Sequence, residues 1–127
     1  MTRIAITGDR HWGKDRYPAV LAAVASRIDA ELFVLGDASG VDALAHAACA
    51  ELDLPHIRIL ADWRRFGRGA GPLRNGEMLD HLTGPTDELW YFHDDLAQSK
   101  GTKNCVNQAL DRGIAVRRRA INEGGSP

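Results

Sequence analysis

Short apolar runs recur along the chain and are separated by longer segments with helical periodicity. Each run has the length of a strand that is covered on both faces, and glycine or polar turn residues follow it. The runs predict five strands, at Ile4–Ile6, Leu32–Leu35, His56–Leu60, Glu88–Phe92 and Ile114–Val116.

The segments between these runs predict helices, because apolar residues recur in them three and four positions apart. Residues 61–71 are the exception: they are rich in glycine and arginine and predict a long loop before the third helix. The four helices are predicted at Pro18–Ile28, Val41–Leu52, Pro72–Leu82 and Thr102–Leu110, the last one capped by Thr102 and stopped by Gly113.

Strands that alternate with helices indicate a parallel sheet covered on both faces, with right-handed crossovers. The pattern predicts an α/β fold: a single Rossmann-like three-layer domain with a mainly parallel sheet of five strands. The domain is expected to span residues 1–121, followed by a polar, glycine-rich and flexible tail at residues 122–127.

Composition and charge exclude several classes of protein. Sixteen Lys and Arg residues against seventeen Asp and Glu give a net charge of −1, so binding of polyanions by bulk charge is not expected. Cys49 and Cys105 lie far apart in the 127 residues and form no CxxC or Cys/His cluster, which argues against a disulfide framework or a zinc site. The longest apolar run, Ala19–Ala25, is too short for a membrane span, and no signal peptide precedes the first strand. A cytoplasmic protein without a metal or cofactor is expected.

Polar and glycine-rich residues follow the predicted strands at their carboxyl ends, where ligands bind in open α/β sheets. Thr7, Gly8 and Arg10 follow the first strand, and the turn Gly36–Gly40 follows the second. Glycines let backbone N–H groups approach an anion at a helix N-terminus, so both turns predict a phosphate site. A tight turn that needs glycine for its geometry alone is the alternative.

Two further segments predict recognition chemistry. Residues 62–78 place arginines beside Trp63 and Phe66, with Arg74 and Asn75 in the next helix. The alternative is a solvated loop whose two aromatic residues are anchored in the core. Residues 99–103 put Gly101 and Thr102 at a helix start, although without the spacing of a nucleotide-hydrolysing P-loop.

His93 is followed by two carboxylates at the end of the fourth strand. One imidazole with two carboxylates is suited to acid–base chemistry or to metal binding. Adjacent side chains diverge, however, so no metal site is predicted there.

Several of these motifs together resemble those of a known family. They are Thr7-Gly8-x-Arg10, Gly36-x-x-x-Gly40-x-Asp42-x-Leu44-Ala45, Asp62-Trp63, Gly71-Pro72-x-Arg74-Asn75-x-x-Met78 and Gly101-Thr102. Nearly the whole chain is similar to the YspA/YpsA-related branch (DUF2493 type) of the SLOG superfamily, which is common in bacteria and their phages. The superfamily includes LOG-type phosphoribohydrolases and the DNA-processing protein DprA.

The resemblance implies a nucleotide-related function but departs from the hydrolase pattern. Arg74 and Met78 look like the LOG arginine motif, and Gly101-Thr102 looks like the Gly-Thr of the motif PGGxGTxxE. The glutamate of that motif would fall at position 105, which here is Cys105. Since that carboxylate helps to stabilise the cationic sugar in LOG enzymes, an enzymatic function is uncertain.

The leading hypothesis is therefore a protein, acting as a sensor, that binds a nucleotide or a nucleotide-derived small ligand. Arg74 would pair with phosphate, Asp62 or Glu77 would accept from ribose hydroxyls, and Trp63 would stack on the base. The predicted ligand-binding residues are Thr7, Gly8, Arg10, Gly36, Asp37, Ser39, Gly40, Asp42, Asp62, Trp63, Arg74, Asn75, Gly101 and Thr102.

Two alternatives belong to other functional classes. A LOG-like hydrolase would cleave the N-glycosidic bond of a nucleoside monophosphate, with Arg74 and Glu77 as catalytic residues. A DprA-like protein would bind single-stranded nucleic acid through Trp63 and the arginines at positions 64, 65 and 68, which the near-neutral net charge makes an unfavourable hypothesis. The family resemblance also implies a homodimer.

Overall fold

The computed structural model describes residues 1–119, and the predicted tail lies outside them. Its strands are β1 (Arg3–Gly8), β2 (Leu32–Leu35), β3 (His56–Arg58), β4 (Glu88–Phe92) and β5 (Ala115–Arg118). They form one sheet in the order β3-β2-β1-β4-β5, and every neighbouring pair is parallel. The predicted α/β class with a parallel sheet of five strands is confirmed.

The sheet is covered by helices on both faces. The five α-helices are α1 (Tyr17–Ala25), α2 (Val41–Glu51), α3 (Trp63–Phe66), α4 (Ala70–Asp80) and α5 (Gly101–Asp111), and short 3₁₀ turns lie at Lys14–Arg16, Gly67–Gly69 and Leu96–Gln98. Helices α1 and α2 pack on one face, and α4 and α5 pack on the other. This is the three-layer arrangement that the alternation of elements predicts.

Alternating strand residues divide the core into two clusters. Ile4 and Ile6 of β1 belong to the cluster under α1 and α2, whereas Ala5 belongs to the cluster under α4 and α5. Trp90 and Leu89 of β4 follow the same alternation, because successive side chains point to opposite faces of a strand. All five side chains are fully buried.

The order of strands places a crevice at one edge of the sheet. The chain moves outward from β1 through β2 to β3, then returns to β4 on the other side of β1. The connections that leave β1 and β4 therefore diverge to opposite faces, and a gap remains between the carboxyl ends of these two strands.

Several predicted boundaries were wrong. Helix α1 ends at Ala25, and Ile28, which was assigned to its apolar face, is 64% exposed. The predicted loop at residues 61–71 is mostly helical, since it contains α3, a 3₁₀ turn and the first residues of α4. Strand β3 stops at Arg58 rather than Leu60, and β5 extends to Arg118.

Candidate functional site

A cleft of about 710 Å³ opens between the carboxyl ends of β1 and β4. One wall comes from the β1 loop and the start of α2, and the other from the starts of α4 and α5. Its lining residues are Thr7, Gly8, Asp9, Arg10, His11, Ala38, Asp42, Trp63, Arg68, Gly71, Pro72, Arg74, Asn75, His93, Gln98, Ser99, Lys100, Gly101, Thr102 and Asn104.

Most of the predicted ligand-binding residues come together in this cleft, although they lie far apart in the sequence, from Thr7 to Thr102. Those that line it are Thr7, Gly8, Arg10, Asp42, Trp63, Arg74, Asn75, Gly101 and Thr102. Those outside its lining are Gly36, Asp37, Ser39, Gly40 and Asp62, together with the candidate catalytic residue Glu77.

The turn after β2 bonds to the protein itself. The backbone N–H of Ala38 donates to the Asp42 carboxylate at 3.0 Å, and the N–H of Val41 donates to the carbonyl of Asp9 at 3.0 Å. The hydroxyl of Ser39 donates to the carbonyl of Arg10. The turn thus docks α2 against the β1 loop, and the Ala38 N–H is engaged by the Asp42 carboxylate.

Glycine is required at two positions of this docking for steric reasons. Gly40 has φ +72°, and a Cβ there would overlap the backbone of Asp9 and Arg10. A Cβ on Gly8 would lie 2.5 Å from the carbonyl oxygen of Phe92. Both positions fit the alternative interpretation that the geometry alone demands glycine.

Arg74 has an ion-pair partner within the protein, and its predicted pairing with phosphate stays a prediction. Its Nη1 lies 2.6 Å from the Asp37 carboxylate, its Nε donates to Asn75, and its side chain is largely buried. The charge of Arg74 is therefore compensated inside the protein, and Asp37 serves as its ion-pair partner instead of lining the cleft.

Asp42 is the buried carboxylate of the cleft, with 5% of the residue exposed. Burial raises the pKa of its carboxyl to about 6, although the N–H of Ala38 and the positive charges of Arg74 and Arg58 lower it. It lies near Arg74, since a Cβ built on Gly36 would touch both side chains.

The hydrolase hypothesis needs a carboxylate beside Arg74, and Glu77 does not provide it. Glu77 is exposed on α4 and lies outside the cleft lining. Cys105, at the position of the LOG glutamate, is fully buried, and burial raises the pKa of its thiol to about 12. The negative charge of the Asp42 carboxylate also raises the pKa of that thiol.

The segment after β3 holds an exposed aromatic side chain at the mouth of the cleft. Asp62 lies outside the cleft lining and caps α3, accepting from the N–H of Arg65 at 3.0 Å. Trp63 is 57% exposed and its ring edge lies over Gly71, while Phe66 is 44% exposed. The alternative in which both aromatic residues are core anchors is therefore wrong.

Helix α5 starts at Gly101, and its N-cap is Lys100 rather than the predicted Thr102. The hydroxyl of Ser99, rather than that of Thr102, accepts from a backbone N–H, and the donor is Thr102 itself. Thr102 is buried against the floor of the cleft. A Cβ on Gly101 would meet nothing within 4 Å, so the backbone at the helix start is open to the cleft.

Several residues outside the predicted ligand-binding set also line the cleft, among them Asp9 and His93, which directly follow β1 and β4. Asp9 and His93 face each other across the end of the sheet, with Nε2 of His93 3.6 Å from the Asp9 carboxylate. Asp94 pairs with Arg16 instead, at 2.8 Å. Within residues 1–119, no group of three or more His, Cys, Asp or Glu side chains is placed to hold a metal ion. Further cleft-lining residues outside the predicted ligand-binding set are His11, Arg68, Gln98, Ser99, Lys100 and Asn104.

Comparison with solved structures identifies a similar fold. The DNA processing protein A (DprA) of Streptococcus pneumoniae matches 93% of the chain with a TM-score of 0.73 and 15% sequence identity. The chain spans half the length of that solved chain. This likeness shows a similar fold alone, and membership of the SLOG superfamily and of its YspA/YpsA-related branch stays a prediction.

Comparison of sequences gives a relationship over the full length. No family profile matches the chain. The Gene 61 protein of Mycobacterium phage D29 is 33% identical over 136 aligned residues, which cover 100% of both chains. This chain therefore belongs to the family of the phage Gene 61 protein.

Proposed function

We propose that this protein binds a nucleotide or a nucleotide-derived small ligand in the cleft between β1 and β4. The observation that carries the proposal is the meeting of exposed cations from three separate segments, Arg10, Arg68 and Lys100, with the exposed indole of Trp63. Nucleotides combine an anionic phosphate with a flat aromatic base, which matches both kinds of group. A volume of about 710 Å³ is in the usual range for small-molecule sites.

The three cations have charge available for a ligand. Within the part of the chain that the structure describes, none of them lies within 4.0 Å of a carboxylate. The open backbone of Gly101 at the start of α5 adds N–H groups at the positive end of a helix. Phosphate at the mouth of the cleft would therefore gain both charge and hydrogen bonds.

Titration calorimetry with adenosine and guanosine monophosphates and with ADP-ribose tests the proposal. We expect Lys100→Ala to weaken binding about tenfold, because it removes a charge-assisted hydrogen bond. Lys103→Ala is the matched control, since Lys103 is exposed on the same helix but lies outside the cleft lining. No binding of any of these ligands, or equal losses in the two variants, would overturn the proposal.

The same samples decide whether the bound ligand is also cleaved. The buried Asp42 carboxylate near Arg74 is the observation that favours an N-glycosidic hydrolase, because such a group stabilises a cationic sugar as the base departs. Chromatography of nucleoside monophosphates after incubation would then show free base, and Asp42→Asn would abolish its release. Unchanged nucleotides would remove the hydrolase hypothesis and leave a binding protein.

Binding of single-stranded nucleic acid is the second candidate function. Trp63 and Phe66 are exposed beside arginines, with the guanidinium of Arg65 4.9 Å from the Phe66 ring centroid. Exposed aromatic and basic side chains form stacking platforms for unpaired bases, and the similar structure carries the name of a DNA processing protein. A gel shift with a short single-stranded oligonucleotide tests it: a shift that is lost in Phe66→Ala supports this candidate, and no shift at low salt excludes it.

A further inference from the structure

The polar groups of the cleft change character with depth. At the rim, Arg10, Arg68 and Lys100 are exposed and positively charged. The floor is formed by buried side chains, of which Asp42 is ionisable and the others, Thr7, Asn75 and Thr102, are neutral. Arg74 also reaches the floor, but its ion pair with Asp37 at 2.6 Å compensates its charge. The mouth of the cleft is thus basic, and its floor holds the Asp42 carboxylate, which forms no ion pair within residues 1–119.

Asp42 has acceptor capacity that the protein does not use. Its Oδ2 accepts from the N–H of Ala38 at 3.0 Å. Within residues 1–119, Oδ1 accepts no hydrogen bond, and it is not sealed away from the cleft. Among the other polar groups of the floor, the amide of Asn75 is engaged, since it donates to Asn104 and to the carbonyl of Gly101. Because Oδ1 is accessible from the cleft, a ligand hydroxyl or amino group that reaches the floor can donate a charge-assisted hydrogen bond to it.

This polarity determines how a ligand would lie. A phosphate at the floor would be repelled by the ionised Asp42 and would find Arg74 already paired. A phosphate at the rim would meet Arg10, Arg68 and Lys100. A hydroxyl or amino group at the floor would instead donate to Asp42 and form a charge-assisted hydrogen bond.

Building on the proposed function, we propose that Asp42 is the specificity-determining residue of the cleft: it accepts a hydrogen bond from a hydroxyl or amino group of a nucleotide whose phosphate lies at the rim. The ligand class is then a nucleotide that is phosphorylated at one end and carries a hydrogen-bond donor at the other. A nucleotide with a second phosphate at its inner end is excluded, because that phosphate would face the carboxylate.

Calorimetry on the full chain and its Asp42→Asn variant tests the inference with two probes, adenosine 5′-monophosphate and inorganic pyrophosphate. We expect the variant to bind the nucleotide about tenfold more weakly, because a charge-assisted hydrogen bond becomes a neutral one. Pyrophosphate would contact only the cations at the rim, so its affinity should differ less than about twofold between the wild-type protein and the variant. Retained pyrophosphate binding shows that the variant is folded.

Two further ligands identify the donor. If the sugar hydroxyl donates, the wild-type protein binds 2′-deoxyadenosine monophosphate more weakly and the Asp42→Asn variant does not discriminate. If the base amino group donates, the wild-type protein instead binds inosine monophosphate, which lacks that group, more weakly than adenosine monophosphate, and the Asp42→Asn variant binds the two equally. Equal affinity of the two proteins for adenosine monophosphate overturns the inference while leaving nucleotide binding intact. Failure of the wild-type protein to bind any nucleotide overturns the proposed function itself, and the inference with it.

Discussion

At the scale of single residues, the Asp42 carboxyl lowers the free energy of unfolding above about pH 6. Its pKa is raised from 3.8 to about 6 in the folded protein, chiefly by burial. The folded state therefore binds the Asp42 proton more tightly than the unfolded chain does. As the pH rises from about 4 to above 6, ionisation favours the unfolded chain and stability falls. A destabilising charge in a cleft is typical of a functional site.

We expect Asp42→Asn to be more stable than the wild-type protein at about pH 8, by about 1 to 3 kcal/mol, and the difference to shrink towards pH 4. Asparagine keeps the size of the side chain and removes its ionisation. The substitution leaves the titratable and charged groups that face Asp42 unchanged. These are Asp37, Arg58, Arg74 and Cys105.

Urea unfolding across this pH range measures the effect. Asp111→Asn is the control, because Asp111 is exposed at the end of α5 and its substitution should give a small difference that hardly varies with pH. A variant that is less stable than the wild-type protein at about pH 8 would contradict the role given to Asp42 burial.

The ion pair between Arg74 and Asp37 makes Arg74 a structural residue whatever the ligand. Arg74→Ala leaves the Asp37 and Asp42 carboxylates without the adjacent guanidinium, so we expect a loss of about 2 to 4 kcal/mol in the free energy of unfolding. Arg112→Ala removes an exposed pair with Asp80 of similar length, 2.8 Å, and should cost less than about 1 kcal/mol. Denaturant titration of both variants checks the contrast, and similar losses would show that the Arg74 pair is screened by solvent.

At the scale of elements, the cleft depends on the docking of α2 against the β1 loop. The docking uses two hydrogen bonds: the backbone N–H of Val41 donates to the carbonyl of Asp9, and the side-chain hydroxyl of Ser39 donates to the carbonyl of Arg10. Gly40 permits this close approach because it has no Cβ. Gly40, which itself lies outside the cleft lining, therefore helps to determine where Arg10 lies at the rim of the cleft.

Gly40→Ala should destabilise the protein by more than about 3 kcal/mol, since it combines a positive φ with overlap of the Asp9 and Arg10 backbone. Gly113 offers a matched control: it has φ +73°, but a Cβ there would meet nothing within 4 Å. Gly113→Ala should lower the free energy of unfolding by only about 1 to 2 kcal/mol, because the positive φ is its only unfavourable feature. Thermal unfolding of the two variants separates the effect of the positive φ from the effect of the steric overlap. Equal decreases in melting temperature would mean that the β1 loop moves to accommodate the new methyl group without loss of stability.

At the scale of the whole molecule, two core clusters share one sheet. Cys49 lies in the cluster under α1 and α2, Cys105 lies in the cluster under α4 and α5, and both are fully buried. Since β1 and β4 contribute side chains to both clusters, neither face can separate without exposing the other. The domain is therefore expected to unfold as one cooperative unit.

Thiol labelling in urea tests this cooperativity with one natural probe on each face. In Cys49→Ala the label reports on Cys105, and in Cys105→Ala it reports on Cys49. In each variant, we expect the labelling midpoint to coincide with the midpoint measured by circular dichroism. Labelling of either cysteine at a lower urea concentration than the loss of secondary structure would show that its face opens independently.

Across the molecule, no helix among residues 1–119 is long and apolar enough to cross a membrane. The charge of −1 is unevenly arranged, with exposed cations at the rim of the cleft and a buried carboxylate at its floor. A small phosphorylated ligand suits this local pattern better than a polyanion, whose binding depends on many cations. The homodimer implied by the family resemblance stays a prediction.

The sequence by itself determined the order and type of the main elements, because hydrophobic periodicity reflects burial directly. Strand β4 begins and ends where its pattern predicts. Helix α1, by contrast, ends before Ile28, and α3 forms in a predicted loop where the Asp62 carboxylate supplies a local cap. Such endings depend on single contacts that the periodicity does not encode.

The sequence also predicted the edge of the sheet at which the cleft opens, since strands that alternate with helices place their carboxyl ends together. Only the tertiary structure decided what each polar side chain does there. Arg74 pairs with Asp37, and Asp42 becomes the buried acceptor of the cleft, because residues far apart in the chain meet across the ends of β1 and β4. Ion pairs and burial arise from this meeting in space, and neither motif nor composition specifies them.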